Sequence, residues 1–192
     1  MSDVKARLFE LLKQRSFKRG DFTLASGKKS SYYIDGKMSQ VYSEAAYLIG
    51  EAIYENTKDL AFDAIGGLEV GAVPMTTAAV ISFHHHGRAL EGFWVRDKLK
   101  DHGTKKLVEG NVRKGGRVVI VDDVITTGDS SVRAIEAVRE FGCEVVRVVT
   151  LVDRLAGAAA KFRSLGIQDY QHLFTIEDFG VVVEKPAGAA DH

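Results

Sequence analysis

A single cysteine, Cys143, stands among the 192 residues, so no intramolecular disulfide can form and a reducing cytosol is the natural compartment. The burial habit of free cysteine points to a structural thiol, not a reactive one. Net charge is lacking too: 26 basic residues balance 26 acidic ones, so there is no overall positive field to attract nucleic acid or an anionic membrane. Any anion bound here must be gripped locally. No apolar run approaches the roughly 20 residues that span a bilayer. The opening MSDVKARLFE lacks the apolar core of a signal peptide. The expectation is a soluble, cytoplasmic protein with no nucleic-acid and no membrane partner. Internal repeats, a Walker A Gly-Lys-Ser/Thr and a Gly-x-Gly-x-x-Gly are also missing, which removes two common nucleotide-binding readings.

What is present is a hydrophobic fraction of 45%, enough for one α/β domain over residues 1–192. Ser2 and Asp3 can cap a first helix with Val4, Leu8, Leu11 and Leu12 on one face. From Gly20 to Lys37 the chain is rich in Gly, Ser, Lys and Tyr, with short β-like pieces at Phe22–Leu24 and Tyr32–Ile34, as in a small flap. Ser43 opens a second helix that fades near Asn56. Then come a short strand at Ala64–Ile65, a glycine turn, and a helix that Pro74 can begin. Leu90–Val95, Arg117–Val121 and Val145–Val152 read as strands, the last two buried on both faces. Ser130–Phe141 reads as a helix ended by Gly142. Strands separated by helices predict a central, mostly parallel sheet with helices on both sides. An N-terminal helix and hood would occupy about residues 1–40, and a frayed tail about residues 185–192.

The chemistry concentrates in Val118-Val-Ile-Val-Asp122-Asp123-Val124-Ile125-Thr126-Thr127-Gly128-Asp129-Ser130. A buried strand ends in two carboxylates, a small hydroxyl-and-glycine loop follows, and a helix begins. In a parallel sheet, ligands bind at such strand ends. Amides around Thr126–Ser130, backed by a helix N-terminus, form a cradle for a monophosphate, with hydroxyls of Thr126, Thr127 and Ser130 added. Asp122 and Asp123 repel phosphate but accept hydrogen bonds from sugar hydroxyls. A phosphorylated ribose satisfies both halves. The bland alternative makes the two acids helix caps. A sharper rival, a phosphoacceptor receiver domain, would place paired acids near its start, whereas these lie two-thirds along the chain.

This segment resembles the phosphoribosyl-pyrophosphate signature of type I phosphoribosyltransferases, and from about Phe22 to Arg154 the chain resembles orotate phosphoribosyltransferases. The resemblance implies the type I phosphoribosyltransferase fold with a small N-terminal hood. It also implies transfer of phosphoribose to orotate, with Asp122 and Asp123 on the ribose hydroxyls and Val124, Ile125, Thr126, Thr127, Gly128, Asp129 and Ser130 around the 5-phosphate. Arg96-Asp-Lys98-Leu-Lys100-Asp-His102-Gly resembles the family's catalytic loop, in which Arg, Lys and His contact pyrophosphate. The roles pass to Arg96, Lys98, Lys100 and His102, with Lys100, His102, Asp122 and Asp123 as the catalytic set. Cations on a closing loop would favour the transition state as charge gathers on the leaving group. That loop reaches a neighbouring subunit's site in the family, so a homodimer with shared active sites is implied.

Gly66-Gly-Leu-Glu-Val-Gly71 matches the family's pyrophosphate loop in position, although a simple tight turn explains it equally on sequence grounds. Ser26-Gly-Lys28-Lys29-Ser-Ser-Tyr32-Tyr33 resembles the family's hood: Tyr32 or Tyr33 would cover the base, and Lys28 or Lys29 would answer its carboxylate. Arg154, after the strand ending at Asp153, matches the arginine used for orotate, with Thr126 beside it. The expected cofactor is Mg²⁺, which would be held mainly by substrate oxygens and water, with no direct protein ligand assigned. The run His84-His85-His86 carries no site, because adjacent helical residues cannot converge on one ion. Two rivals remain: a phosphoribosyltransferase for another base, opposed by the hood and Arg154, and a non-catalytic sensor of phosphoribosyl pyrophosphate, which would leave the Lys100–His102 loop without a task.

Overall fold

The computed structural model describes residues 2–23, 27, 29–98 and 106–183. The tail expected at 185–192 lies outside them. Ser2 accepts a hydrogen bond from the Lys5 amide (3.3 Å) and caps helix α1 (Asp3–Arg15), whose Leu8, Leu11 and Leu12 are buried. Strands β1 (Phe17–Thr23) and β2 (Lys29–Ile34) pair antiparallel as a separate two-stranded sheet, the expected hood. It begins at Phe17, three residues before the glycine-rich stretch, because the Phe17 ring packs between Tyr32 (centroids 6.0 Å apart) and Phe179 (5.0 Å). Helices α2 (Lys37–Gln40) and α3 (Ser43–Thr57) lead into the main sheet.

Strands and helices alternate as the sequence pattern predicts except from β4 to β6, which follow one another without a described helix: β3 (Ala64–Leu68), α4 (Ala72–His85), β4 (Glu91–Val95), β5 (Val108–Gly110), β6 (Arg117–Ile125), α5 (Asp129–Phe141), β7 (Glu144–Asp153), α6 (Ala158–Ser164) and β8 (Tyr170–Thr175). The spatial order is β5-β4-β3-β6-β7-β8, parallel throughout except for the β4–β5 pair. Alternation along β6 sorts the core into two layers. Val119 and Val121 pack with α1, α3 and α4, while Val118 and Ile120 pack with α5 and α6. Each such fully buried branched side chain stabilises the fold by about 1.5–3 kcal/mol.

One expectation is corrected here. Gly66 and Gly67 do not form a turn after Ile65; they are buried residues inside β3, which runs on to Leu68. Their role is close approach. A Cβ on Gly66 would lie 2.2 Å from the Phe93 carbonyl oxygen, and one on Gly67 would lie 2.1 Å from that of Val121. Neighbouring backbone cannot move aside as a side-chain tip can. Gly67→Ala is therefore expected to lower Tm by about 5–10 °C in thermal unfolding. An unchanged Tm would mean that the crowding is absent. Pro74 falls in the first turn of α4, two residues after the start, where its missing N–H costs nothing.

Chain direction locates the crevice. From β3 the chain first moves outward to β4 and β5, then returns to the other side of β3 as β6 and continues to β7 and β8. The strand order thus reverses between β3 and β6, and ligands in open α/β sheets bind at the carboxyl edge of such a switch point. Pairing of β6 with β3 stops at Ile120, but pairing with β7 continues to Ile125. Residues 121–125 therefore overhang the crevice.

Candidate active site

The two acids of β6 lie inside this overhang, two residues before the strand's end, and not at its tip. Adjacent strand residues face opposite ways, so they keep separate company. Asp122 points toward α5: one oxygen accepts from Ser130 Oγ (2.6 Å) and Ser131 Oγ (2.7 Å), the other from the Asp123 amide (3.0 Å). Burial holds its carboxyl above the ordinary pKa, although the two hydroxyls work against that shift. Neither acid caps α5, whose N-cap Gly128 has no side-chain cap bond; Asp122 braces the first turn only through the two serine hydroxyls. Asp123 points to the opposite side, between the hood and the loop after β3. A Cβ on Gly36 or on Gly71 would come within 2.9 or 2.7 Å of its side chain, and Lys37 Nζ stands 3.8 Å from its carboxylate. Burial disfavours the Lys37 charge, yet Asp123 and Asp35 together hold its pKa above the ordinary value.

Between β6 and α5, residues Thr126–Gly128 make the loop. Gly128 takes φ +83°, and a Cβ there would also press on Phe162 at 3.0 Å, so glycine is required twice over. The first amides of α5 have no partner within the helix and face the crevice edge with the positive end of its dipole. Thr127 Oγ1 donates to Asp129 (2.5 Å), and Lys161 does the same from α6 (2.5 Å), so Asp129 is pulled below its usual carboxylate pKa, first by Lys161 and then by Thr127. Asp129 is consequently engaged with its own loop.

On the other flank, Arg154 leaves β7 with its amide bonded to the Ile125 carbonyl (2.8 Å). Its guanidinium donates to the Tyr32 hydroxyl (3.0 Å) and to Thr126 Oγ1 (3.3 Å), and stacks 4.9 Å from the Tyr32 ring centre. Three N–H groups of the fork remain for other acceptors. No ion pair to Asp153 forms among the described contacts of Arg154; Asp153 bonds the Leu155 amide and the Tyr170 hydroxyl instead. The hairpin alternation separates the two tyrosines. Ser30, Tyr32 and Ile34 turn inward, whereas Lys29 and Tyr33 turn out, Lys29 bonding Thr23 Oγ1 (3.0 Å) and Tyr33 packing on Phe22. Thus Tyr32, Thr126 and Arg154 are brought together, and Tyr33 and Lys29 are not.

Arg96 directly follows β4 and lies 3.5 Å from Glu109, with its amide on the Leu107 carbonyl at 2.9 Å. That bond joins the two roots of the basic segment at the carboxyl edge. Lys98 is exposed, and Lys100 and His102 lie outside the described residues. The Glu69–Val70–Gly71 stretch follows β3, where Glu69 accepts from the Asp97 amide (3.2 Å). Val124 packs against the α1/α3/α4 core, and Ile125 is buried on the α5 side. Sequence reading passed over Lys37 and Ser131. Lys37 sits directly after the Tyr-Tyr-Ile-Asp-Gly run, and Ser131 pairs with Ser130 in the first helical turn after the acids, so both had a positional signal. Among the described residues no group of three or more His, Cys, Asp or Glu side chains could hold a metal ion. No helix among them is long and apolar enough to cross a membrane.

The known proteins most informative about this arrangement share it along nearly their whole length. The family described as "Phosphoribosyl transferase domain" matches residues 37–180. The orotate phosphoribosyltransferase of Bradyrhizobium diazoefficiens is 46% identical over 182 residues, covering 93% of this chain and 97% of that protein. That of Streptomyces avermitilis is 41% identical, covering 94% and 100%. Among solved structures, Mycobacterium tuberculosis orotate phosphoribosyltransferase in complex with 5-phospho-α-D-ribosyl 1-diphosphate superimposes with a TM-score of 0.79 at 37% identity, over 93% of this chain and 99% of that one. With that likeness of fold and sequence, the chain belongs to the orotate phosphoribosyltransferases, within the phosphoribosyl transferase domain family.

Proposed function

We infer that this protein joins orotate to the ribose of phosphoribosyl pyrophosphate, giving orotidine 5'-monophosphate and pyrophosphate in the de novo route to UMP. The observation that carries the reading is that Arg154 joins Tyr32 to Thr126, one end of the Thr126–Ser130 loop. A planar, anionic base and a phosphorylated sugar would then lie side by side across one threonine.

The loop amides receive the 5-phosphate at the α5 N-terminus, joined by the Thr126 hydroxyl, which accepts from Arg154 and keeps its own proton to donate, whereas Thr127 and Ser130 spend theirs on Asp129 and Asp122. Asp123, on the crevice side, accepts the ribose hydroxyls, while Asp122 is held by Ser130 and Ser131 and keeps the loop and strand in register. Arg154 spends its remaining N–H groups on the orotate carboxylate, and Tyr32 covers the ring. A ring nitrogen of orotate attacks the anomeric carbon as the bond from that carbon to the pyrophosphate oxygen breaks, and the nitrogen's proton is lost. Arg96, Lys98, Lys100 and His102 meet the leaving pyrophosphate as its charge grows. No protein nucleophile is required.

Mg²⁺ fits this site as an ion that arrives with most of its ligands. Three protein donors already hold Asp122, Asp123 faces the crevice with Lys37 as its ion partner, and Mg²⁺ takes substrate oxygens and water readily. When bound, it neutralises pyrophosphate charge. Loss of orotate absorbance that needs both phosphoribosyl pyrophosphate and Mg²⁺, and stops on chelation with EDTA, is the expected result. Turnover that persists without the metal would contradict this assignment.

A homodimer completes the reading. Between α3 and α4 runs a groove of about 450 Å³ lined by Tyr47, Ala78 and Ile81, with Gln40 at its wall. Tyr47 and Ile81 are each 57% exposed, and the buried amide of Gln40 has no hydrogen-bond partner among the described residues. A second copy covering this face would bury the apolar surface of Tyr47 and Ile81. Ile81→Glu is expected to convert a dimer into a monomer in sedimentation and to lower kcat by about tenfold or more if the sites are shared. A variant that stays dimeric would move the interface elsewhere. The reaction belongs in the cytoplasm, where Cys143 stays a buried thiol bonded to the Arg113 carbonyl (3.3 Å).

A further inference from the structure

Arg154 sits between two residues whose backbone and side chain are locked to each other. Leu155 is the single non-glycine position among the described residues with positive φ, +58°. For a residue with a Cβ this left-handed conformation is disfavoured, and it persists only where surroundings over-determine it. Here the cause is visible. Asp153, 3% exposed, accepts the Leu155 N–H on one oxygen (2.7 Å) and the Tyr170 hydroxyl on the other (2.8 Å). Tyr170 comes from β8 and is itself wedged edge-on against Phe162 of α6, centroids 4.9 Å apart. Burial first, and then Asp153, keeps the Tyr170 phenol well above its ordinary pKa, so it remains a donor. The clamp therefore ties the end of β7 to two other elements. Between its jaws the Arg154 amide is fixed on Ile125 (2.8 Å), and the side chain runs to Tyr32 and Thr126.

We propose that Asp153 is a positioning residue for orotate: by holding Leu155 in the left-handed conformation it aims Arg154, without touching either substrate. The inference rests on the reading above that Arg154 takes the orotate carboxylate. The hydrogen bonds of the clamp, from the Leu155 amide and the Tyr170 hydroxyl to Asp153, involve no residue of the Thr126–Ser130 loop, so the effect should fall mainly on one substrate. A misplaced fork loses part of a charge-assisted contact, and the orotate KM is expected to rise about tenfold in Asp153→Ala, while the KM for phosphoribosyl pyrophosphate stays within about twofold.

A merely structural role predicts something different, and the double variant separates them. Glycine adopts φ +58° without steric cost. Leu155→Gly placed in the Asp153→Ala background should recover the orotate KM to within about threefold of the parent, whatever happens to Tm. Asp153→Asn, which can still accept the Leu155 N–H, should stay close to the parent. If Asp153→Ala does not fold, Leu155→Val tests the same point, because a β-branched side chain resists the left-handed region. It should raise the orotate KM by about threefold or more with Asp153 intact. Equal rises in both KM values, no rise in orotate KM, or no recovery on adding Leu155→Gly would each overturn the proposal. Arg154→Gln measured alongside distinguishes the two layers. If it leaves the orotate KM unchanged, the underlying reading of Arg154 fails; if it raises the KM while Asp153→Ala and Leu155→Val do not, only the clamp fails.

Discussion

Arg154→Gln is expected to raise the KM for orotate by about 30- to 100-fold, which corresponds to roughly 2–3 kcal/mol for a lost charge-assisted pair. The KM for phosphoribosyl pyrophosphate should change by no more than about threefold. The reason lies in the geometry at Arg154. Two of its N–H groups are already committed to Tyr32 and Thr126, which fix the plane of the guanidinium, and the rest point where a carboxylate can take them pairwise. Arg154→Lys should not restore binding, because a single ammonium cannot bridge tyrosine, threonine and carboxylate at once. Steady-state kinetics with each substrate varied in turn provides the measurement. A rise confined to the phosphoribosyl pyrophosphate KM would put Arg154 on the wrong ligand.

The second large effect separates the paired acids. Asp123→Ala is expected to lower kcat/KM for phosphoribosyl pyrophosphate by about a hundredfold or more, roughly 3 kcal/mol, with Tm within about 2 °C of the parent. Its carboxylate faces the crevice and its one described ion partner is Lys37 at 3.8 Å, so little of the fold depends on it. Asp122→Ala should instead lower Tm by about 5 °C or more as well as activity, because Ser130, Ser131 and the Asp123 amide all lose a buried acceptor. Thermal melts and kinetics on the same preparations decide it. Two variants with equal stability and equal kinetic loss would contradict the division of labour between the two faces of β6.

Much of this site was legible because the residues proposed to hold the sugar phosphate are contiguous. Asp122 to Ser130 is a strand end, a loop and a helix start in nine positions, and the order alone implies an edge where phosphate and hydroxyls can both be met. Arg154 was legible for the same reason, as the first residue past a buried strand. Other features depend on contacts between distant segments. Gly66 and Gly67 read as a turn because glycine breaks local order, whereas their purpose is to let β4 and β6 approach β3, a demand set by Phe93 and Val121. Tyr32 and Tyr33 are equivalent in sequence; the pairing of Arg19 with Tyr32 and the inward pleat decide between them. Strand β5 spans three residues, too few for any periodic signal, and β8 owes its place to β7. Lys37 acquires meaning only once the hood end lies against Asp123. Of the basic segment, Arg96 and Lys98 are placed at its root, and Lys100 and His102 fall outside the described residues.

The assignment of the base is tested most directly by one comparison: kcat/KM for orotate against uracil, adenine and hypoxanthine, with phosphoribosyl pyrophosphate and Mg²⁺ held constant. Tyr32 and Arg154 beside Thr126 predict turnover of orotate with a preference of about a hundredfold or more over uracil, which lacks the carboxylate, and no purine turnover. Uracil or a purine used as well as orotate would leave the phosphate loop in place and contradict the base site built on Arg154.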